Sequence, residues 1–195
     1  MKRFLLFIAI IFASQFSKAQ KHSIGLSYNH LFDGTATKFS SSYFDPSYFH
    51  QKGCQFGVNY SYKISTNFKL ISGLQTQTNW MEKKDSDFED NLQKWNFKIE
   101  TMNIPILLHY KFLKYLFTEG GLILNWQTNE PNENGIEKQT GLGISYAVGA
   151  QYDIKKFKFF VKAHSQIQTV IPFKKKYQTY RLIASGISAG FFYHL

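Results

Sequence analysis

Cysteine is almost absent from this 195-residue chain: Cys54 stands alone, so no intramolecular disulfide staples the fold. Proline is scarce, with four in all, which leaves long stretches able to run as uninterrupted strands. Beyond the first residues, no apolar run approaches the ~20 residues that a membrane-spanning helix needs. Helical spans are therefore excluded. Acidic residues number 13 against 23 lysines and arginines, for a formal net charge of +10. The basic residues are scattered rather than gathered on one helix or stripe, which argues against nucleic acid as a partner. No phosphate-binding glycine loop and no Cys/His cluster with metal-ligand spacing is present, so neither a cofactor nor a metal is expected.

What is present begins at the N-terminus. Lys2 and Arg3 precede an unbroken apolar run from Phe4 to Phe12, and Ser17-Lys18-Ala19 supplies small residues at the positions a signal peptidase reads. Residues 1–19 are expected to be a cleavable secretory signal, with the barrel-forming chain spanning residues 20–195. Losing Lys2, Arg3 and Lys18 lowers the formal charge of +10 by three. A basic exported chain suits an anionic lipid or glycolipid surface.

Alternation dominates the rest. Leu142, Ile144, Tyr146, Val148, Ala150, Tyr152 and Ile154 form one face of a stretch whose other face is Gly143, Ser145, Ala147, Gly149, Gln151 and Asp153. That period of two marks a strand with an apolar side and a small, polar side. The pattern recurs about Lys21–Phe32, Gly53–Ile64, Phe68–Trp80, Phe97–Phe112, Tyr115–Trp126, Phe157–Ile171 and Tyr180–Leu195. The connections have their own rhythm. Ser65-Thr66-Asn67, Leu113-Lys114 and Lys155-Lys156 are short, whereas Asp33–Lys52, Met81–Asn96, Gln127–Gln139 and Pro172–Thr179 are long. Strict alternation of short turns and long loops is the habit of outer-membrane barrels, and an even strand count predicts both termini on the periplasmic side. The expected fold is an all-β, eight-stranded, antiparallel up-and-down transmembrane β-barrel. Asn134-Gly135, a pair suited to a type I′ turn, predicts a protruding hairpin between the fifth and sixth strands.

The segment Glu100-Thr101-Met102-Asn103-Ile104-Pro105-Ile106-Leu107-Leu108-His109-Tyr110-Lys111-Phe112 resembles the signature strand of the PorT-like outer-membrane β-barrel family. Phe117–Leu122, Gly141–Tyr152 and Gly186–Tyr193 resemble the strands that follow it. The resemblance implies an outer-membrane location and service to cell-surface protein secretion. It carries no catalytic motif.

Candidate chemistry lies on the polar faces. Lys63, Lys69, His109, Lys111, Glu119, Asp153, Lys158, Lys162, His164 and Gln166 are expected to point inward. An eight-stranded barrel is just wide enough for side chains to fill, and buried charges need partners. A packed polar network of His109, Glu119, Asp153, Lys158, Lys162 and His164 is favoured over a pore or an active site. His109 and Glu119 are expected within diagonal reach. His164 and Ser165 point to opposite faces and cannot act as base and nucleophile, so no catalytic residue is assigned. Pro105, within a regular strand, predicts a bulge or local break. The acidic run Asp85–Asp90 departs from a Ca²⁺ loop and is read as solvated. Lys174, Lys175, Lys176 and Arg181 are candidates for contact with glycolipid phosphates. Rings at Phe39, Tyr43, Phe44, Tyr48 and Phe49 suggest a loop folded over the mouth or a contact surface.

The preferred role is structural or interactive, as a monomer contacting membrane lipid, glycolipid and other envelope proteins through its long loops. A lipid-modifying barrel enzyme is the alternative. A soluble lipocalin-like barrel is a third reading, and it requires the apolar face to turn inward.

Overall fold

The computed structural model describes residues 21–32, 34–38, 48–85, 93–130, 138–173 and 180–195. The expected signal segment, the Asn134-Gly135 tip, Lys174, Lys175, Lys176 and the rings Phe39, Tyr43 and Phe44 lie outside them. Nine strands follow in order: β1 (His22–Leu31), β2 (Gly34–Lys38), β3 (Tyr48–Lys63), β4 (Phe68–Asp85), β5 (Gln93–Lys111), β6 (Leu116–Gln127), β7 (Gly141–Ile154), β8 (Phe157–Pro172) and β9 (Tyr180–His194). Every pairing is antiparallel, and β1 pairs with both β3 and β9, so the sheet closes on itself.

The short β2 corrects the expectation of a loop from Asp33 onward. It lies between β3 and β9, the same neighbours that flank β1. Leu31 pairs with Gly53 and Gly34 with His50, so β2 continues β1 in unbroken register against β3. Against β9 the register slips by one residue, from Leu31↔Gly186 to Thr35↔Ile183. The nine strands are therefore eight staves, the first of them kinked at Phe32. The Phe32 amide still donates to the Ser185 carbonyl at 2.8 Å across that kink.

Two further expectations shift. The β4–β5 pairing runs past Met81↔Phe97 to Asp85↔Gln93, whereas among the described residues the β6–β7 pairing ends at Asn125↔Gly141. Paired ladder thus replaces most of the loop expected over Met81–Asn96. At Pro105 the β4 ladder lapses between Ser72↔Ile106 and Gln75↔Asn103 with no change of register, while the β6 side continues through Pro105↔Ile123. A proline lacking an N–H breaks one ladder without inserting a residue. Register shifts occur elsewhere, between His50 and Lys52 and opposite Thr169, whose φ of 52° is rare for a β-branched residue.

The two faces of the wall have opposite character. Outward positions are large and apolar, with Tyr146 59 % and Trp126 60 % exposed. Inward positions are buried and mostly polar, and Asn103, Asn125 and Gln168 are fully enclosed. A soluble lipocalin-like barrel would need the reverse. The phase of the whole sheet excludes it.

Tight curvature demands small inward residues. Gly121 faces the lumen, and a methyl group there would sit 2.2 Å from the Ile106 carbonyl oxygen and 2.9 Å from the Leu107 Cα. Its neighbour Gly120 faces outward with nothing within 4 Å. Gly121→Ala is therefore expected to cost about 1–3 kcal/mol through overpacking against backbone. Gly120→Ala should stay within about 0.5 kcal/mol of the parent. Urea unfolding of the two variants in matched lipid, followed by tryptophan fluorescence, distinguishes them, and equal midpoints would contradict the overpacking.

Candidate functional site

The lumen is stratified along the barrel axis, and β5 gives the order. From the long-connection end its inward residues are Phe97, Ile99, Thr101, Asn103, Pro105, Leu107, His109 and Lys111. Phe97 and Ile99 join Met81 and Leu182 in an apolar cluster at that end. Leu107 joins Ile71, Phe117, Phe160 and Phe192 in a second cluster toward the short-turn end. Period-two reading marked these positions as inward but did not foresee the grouping, which depends on cross-strand register.

Between the clusters run two chains of side-chain amides. In one, Asn29 donates to Gln55, Gln55 to Gln75 at 2.6 Å, Gln75 to Asn59 at 3.1 Å, and Asn59 to the Ser27 hydroxyl at 2.8 Å. In the other, Asn125 donates to Asn103 and Asn103 to Gln77, each at 2.9 Å. Gln77 in turn donates to Asn79 at 3.0 Å. Gln166 on β8 also donates to the Gln77 oxygen on β4 at 2.6 Å. In an eight-stave ring β4 and β8 stand opposite one another, so this bond spans the lumen. Asn125 further accepts the Thr169 amide at 3.2 Å, which serves the backbone at the left-handed residue.

The charged group lies nearer the short-turn end. His109 and Glu119 face each other directly in the β5–β6 register, not diagonally as expected. The His109 Nδ1 is 3.0 Å from one Glu119 oxygen, and Lys162 of β8 donates to the other. The His109 ring stacks on Phe117 with centroids 4.6 Å apart. Both side chains of the His109–Glu119 pair are almost wholly enclosed. His164 is buried beside Ala147 and Gly186 in register. Among these groups the remaining cavity is about 10 Å³, roughly the space of one water.

Asp153 and Lys158 form a separate pair, 3.0 Å apart, at the short-turn mouth. The inward set is thus two groups, Glu119 with His109 and Lys162, and Asp153 with Lys158. Lys63 and Lys69 oppose one another at that mouth, in register. Arg181 corrects an expectation: it is 7 % exposed and pairs with Thr37 of β2, so it does not offer its charge to lipid. Ser165 donates neither to nor through His164. Its hydroxyl meets that of Ser185 at 2.9 Å on the opposite face of β8. Among the described residues no His, Cys, Asp and Glu group has the placing to hold a metal ion.

Two arrangements on the outer wall depend on register. At the short-turn end, rings near the strand ends pair across strands: Phe68 stacks with Tyr110 at 4.8 Å, Tyr115 is tilted against Tyr152 at 5.8 Å and Phe157 meets Tyr193 edge-on at 5.3 Å. At the long-connection end, Lys52, Trp80 and Lys98 lie side by side on three strands. The Lys52 ammonium sits 5.8 Å above the Trp80 ring, and Lys98 meets Glu100 at 2.5 Å. A groove of about 770 Å³ runs past His30, Lys52, Trp80 and Lys98.

Removing Glu119 leaves the Lys162 charge buried without its partner. Glu119→Ala is expected to lower stability by about 3–5 kcal/mol, whereas Glu119→Gln with Lys162→Met should recover most of that loss. Urea midpoints of the two variants in one detergent measure it. A double variant no more stable than the single one would show that the ion pair is not the cause.

A family model described as an outer membrane protein beta-barrel domain matches residues 4–194. No curated protein sequence matches the chain. Among solved structures, the solid-state NMR structure of the outer membrane protein AlkL in lipid bilayers is similar at 9 % identity, with 90 % of this chain and 92 % of that one covered and a TM-score of 0.47. Ail, the attachment invasion locus protein of Yersinia pestis, is similar at 10 % identity, covering 89 % and 99 %, with a TM-score of 0.41. The outer membrane protease OmpT of Escherichia coli follows at 10 % identity, covering 91 % and 97 %, with a TM-score of 0.37. At such distances none of them assigns an activity to this chain.

Proposed function

The chain belongs to the outer membrane protein beta-barrel domain family, and from that membership we propose a non-catalytic barrel that works through its rims and outer wall. The observation that carries this reading is the bolted lumen. Amide chains, a Glu119-centred ion group and two apolar clusters occupy the axis, and the Gln77–Gln166 bond spans it. A path for ions or a bound substrate needs a continuous wet cavity, and between the Glu119 group and the short-turn cluster the space is only about 10 Å³. The Ser165 hydroxyl, engaged with Ser185 on the face away from His164, supports the absence of an acyl-transfer pair.

In this proposal the short-turn end and both termini lie in the periplasm, and the long connections meet the exterior. Lys52, Trp80 and Lys98 then stand at the outer leaflet, where a basic and aromatic row suits a phosphorylated glycolipid. This row takes the place of Arg181 in the expected glycolipid contact. The likeness of Glu100–Phe112 to the PorT-like signature strand extends the proposal to support of cell-surface protein secretion.

Planar-bilayer recording of the purified chain is the direct test: a flat current trace is expected, and regular opening steps would reject the sealed lumen. His164→Ala should leave the phospholipid and glycolipid profiles of the host membrane unchanged by mass spectrometry. Altered acylation would instead favour the lipid-modifying alternative. For the secretion role, deletion of the gene should deplete the set of proteins labelled at the cell surface. An unchanged set would remove that role.

A further inference from the structure

The short-turn mouth opens into a cavity of about 460 Å³ lined by seven lysines. Lys63 and Lys69 occupy directly opposed positions on β3 and β4, where like charges repel. Lys69 faces Lys158 from the opposite side of the ring, and Lys111 adds a further charge from β5. Lys155 and Lys156 form the whole β7–β8 turn above them. Among the described residues of the lining the acidic groups are Asp153, already held by Lys158 at 3.0 Å, and the main-chain carboxylate at Leu195, two negative charges against seven lysines.

This concentration is not the ordinary scatter of surface lysines. Lys158 is buried, and Lys69 and Lys111 are half-buried on the inward face of their strands. The floor beneath them is the apolar cluster of Ile71, Phe117, Phe160 and Phe192 together with His109, which faces Lys69 in register, and the Glu119 carboxylate below is already taken up by His109 and Lys162. Holding several ammonium groups around one small concavity is unfavourable until an anion enters. The compensating ligand must be compact and multiply charged. A phosphate group brings about −1.5 to −2 charge and three strong acceptors, whereas a carboxylate brings one charge. Lysine suits phosphate as a mobile point charge.

We propose that the short-turn mouth is a binding site for a phosphate-bearing anion, held chiefly by Lys63, Lys69 and Lys111. The site lies at the opposite end from the Lys52–Trp80–Lys98 row, and it does not depend on the role proposed above. The anion is either dissolved in the aqueous phase or the headgroup of an acidic phospholipid folded over the rim.

Two arms separate those sources. In the first, full-length barrel in zwitterionic detergent is titrated calorimetrically with tripolyphosphate at low salt. In the second, nanodiscs containing phosphatidic acid, whose phosphomonoester headgroup carries more than one charge, are released in the mass spectrometer and retained lipid is counted. The triple variant Lys63→Gln, Lys69→Gln, Lys111→Gln is compared in both, alongside Lys138→Gln at the far end as control. Both variants are first required to keep the mobility shift between unheated and boiled gels that marks a folded barrel. A single tripolyphosphate site, weakened at least tenfold in the triple variant but not in the control, supports the site with a dissolved ligand. Phosphatidic acid retained by the parent and lost from the triple variant supports it with a lipid ligand. Binding of neither anion, or binding unchanged in the triple variant, overturns the proposal. So does equal affinity for triglutamate, which would remove the phosphate assignment.

Discussion

Closure of β1 against β9 is the constraint on which the rest of the molecule depends. Once Ser23 through Leu31 pair with His194 through Gly186, no strand keeps a free edge, and backbone groups at membrane depth find partners within the wall. Eight staves then set a narrow radius. That radius explains why inward positions such as Gly121 and Gly186 carry no side chain, since a Cβ at Gly186 would lie 2.1 Å from the His30 carbonyl oxygen. It also explains the kink in the first stave. A one-residue slip toward β9 lets β2 extend the wall upward without opening the seam.

A narrow closed wall must be filled, and the filling here is polar where strands meet across the axis. Polar side chains in such a place are tolerable only when each finds a partner, because an orphaned donor keeps its full desolvation cost. Amides within the two chains meet that condition because each both donates and accepts, so Asn125–Asn103–Gln77 propagates around the wall without net charge, whereas the buried amides of Gln151 and Gln168 make no such bond. The charged group is handled differently. Glu119 is gripped from both sides by His109 and Lys162, three strands converging on one carboxylate. Breaking such a group is far more costly than never having built it. The amides and the ion group therefore act as internal braces across the axis of the barrel.

Much of this was legible in the sequence, and the reason is periodicity. Alternation from Leu142 to Ile154 assigns each residue to a face without any knowledge of neighbours, and the burial of β7 follows it residue by residue as far as Gly149. The same rule placed His109, Glu119, Lys162 and His164 inward. Periodicity says nothing about which stave stands opposite which, so the Gln77–Gln166 bond and the facing of Lys69 and Lys158 could not be read. Register was equally hidden: His109 and Glu119 were placed diagonally and stand directly opposed. Arg181 was misplaced because it sits where β9 leaves β8 for β2, and the simple two-faced pattern breaks down at such a junction. Gly34–Lys38 was missed for a related reason. Five residues after a kink are too few to declare a period.

The two rims differ in ways that follow from the wall between them. At the long-connection end the β4–β5 hairpin outgrows its neighbours, and Asn129 fastens the next connection by accepting the Glu100 amide and donating to the Lys98 carbonyl. At the short-turn end the links are too short to cover anything, so the inward lysines stay accessible to water. Phe117, Phe160 and Phe192 lie around the boundary between that basic mouth and the Glu119 group, Lys69 facing His109 across it in register, while the Glu119 carboxylate itself is taken up by His109 and Lys162. The braced axis sets the two rims apart. It divides one strand pattern into two independent surfaces, each with its own charge, and leaves recognition to whichever molecules meet those surfaces.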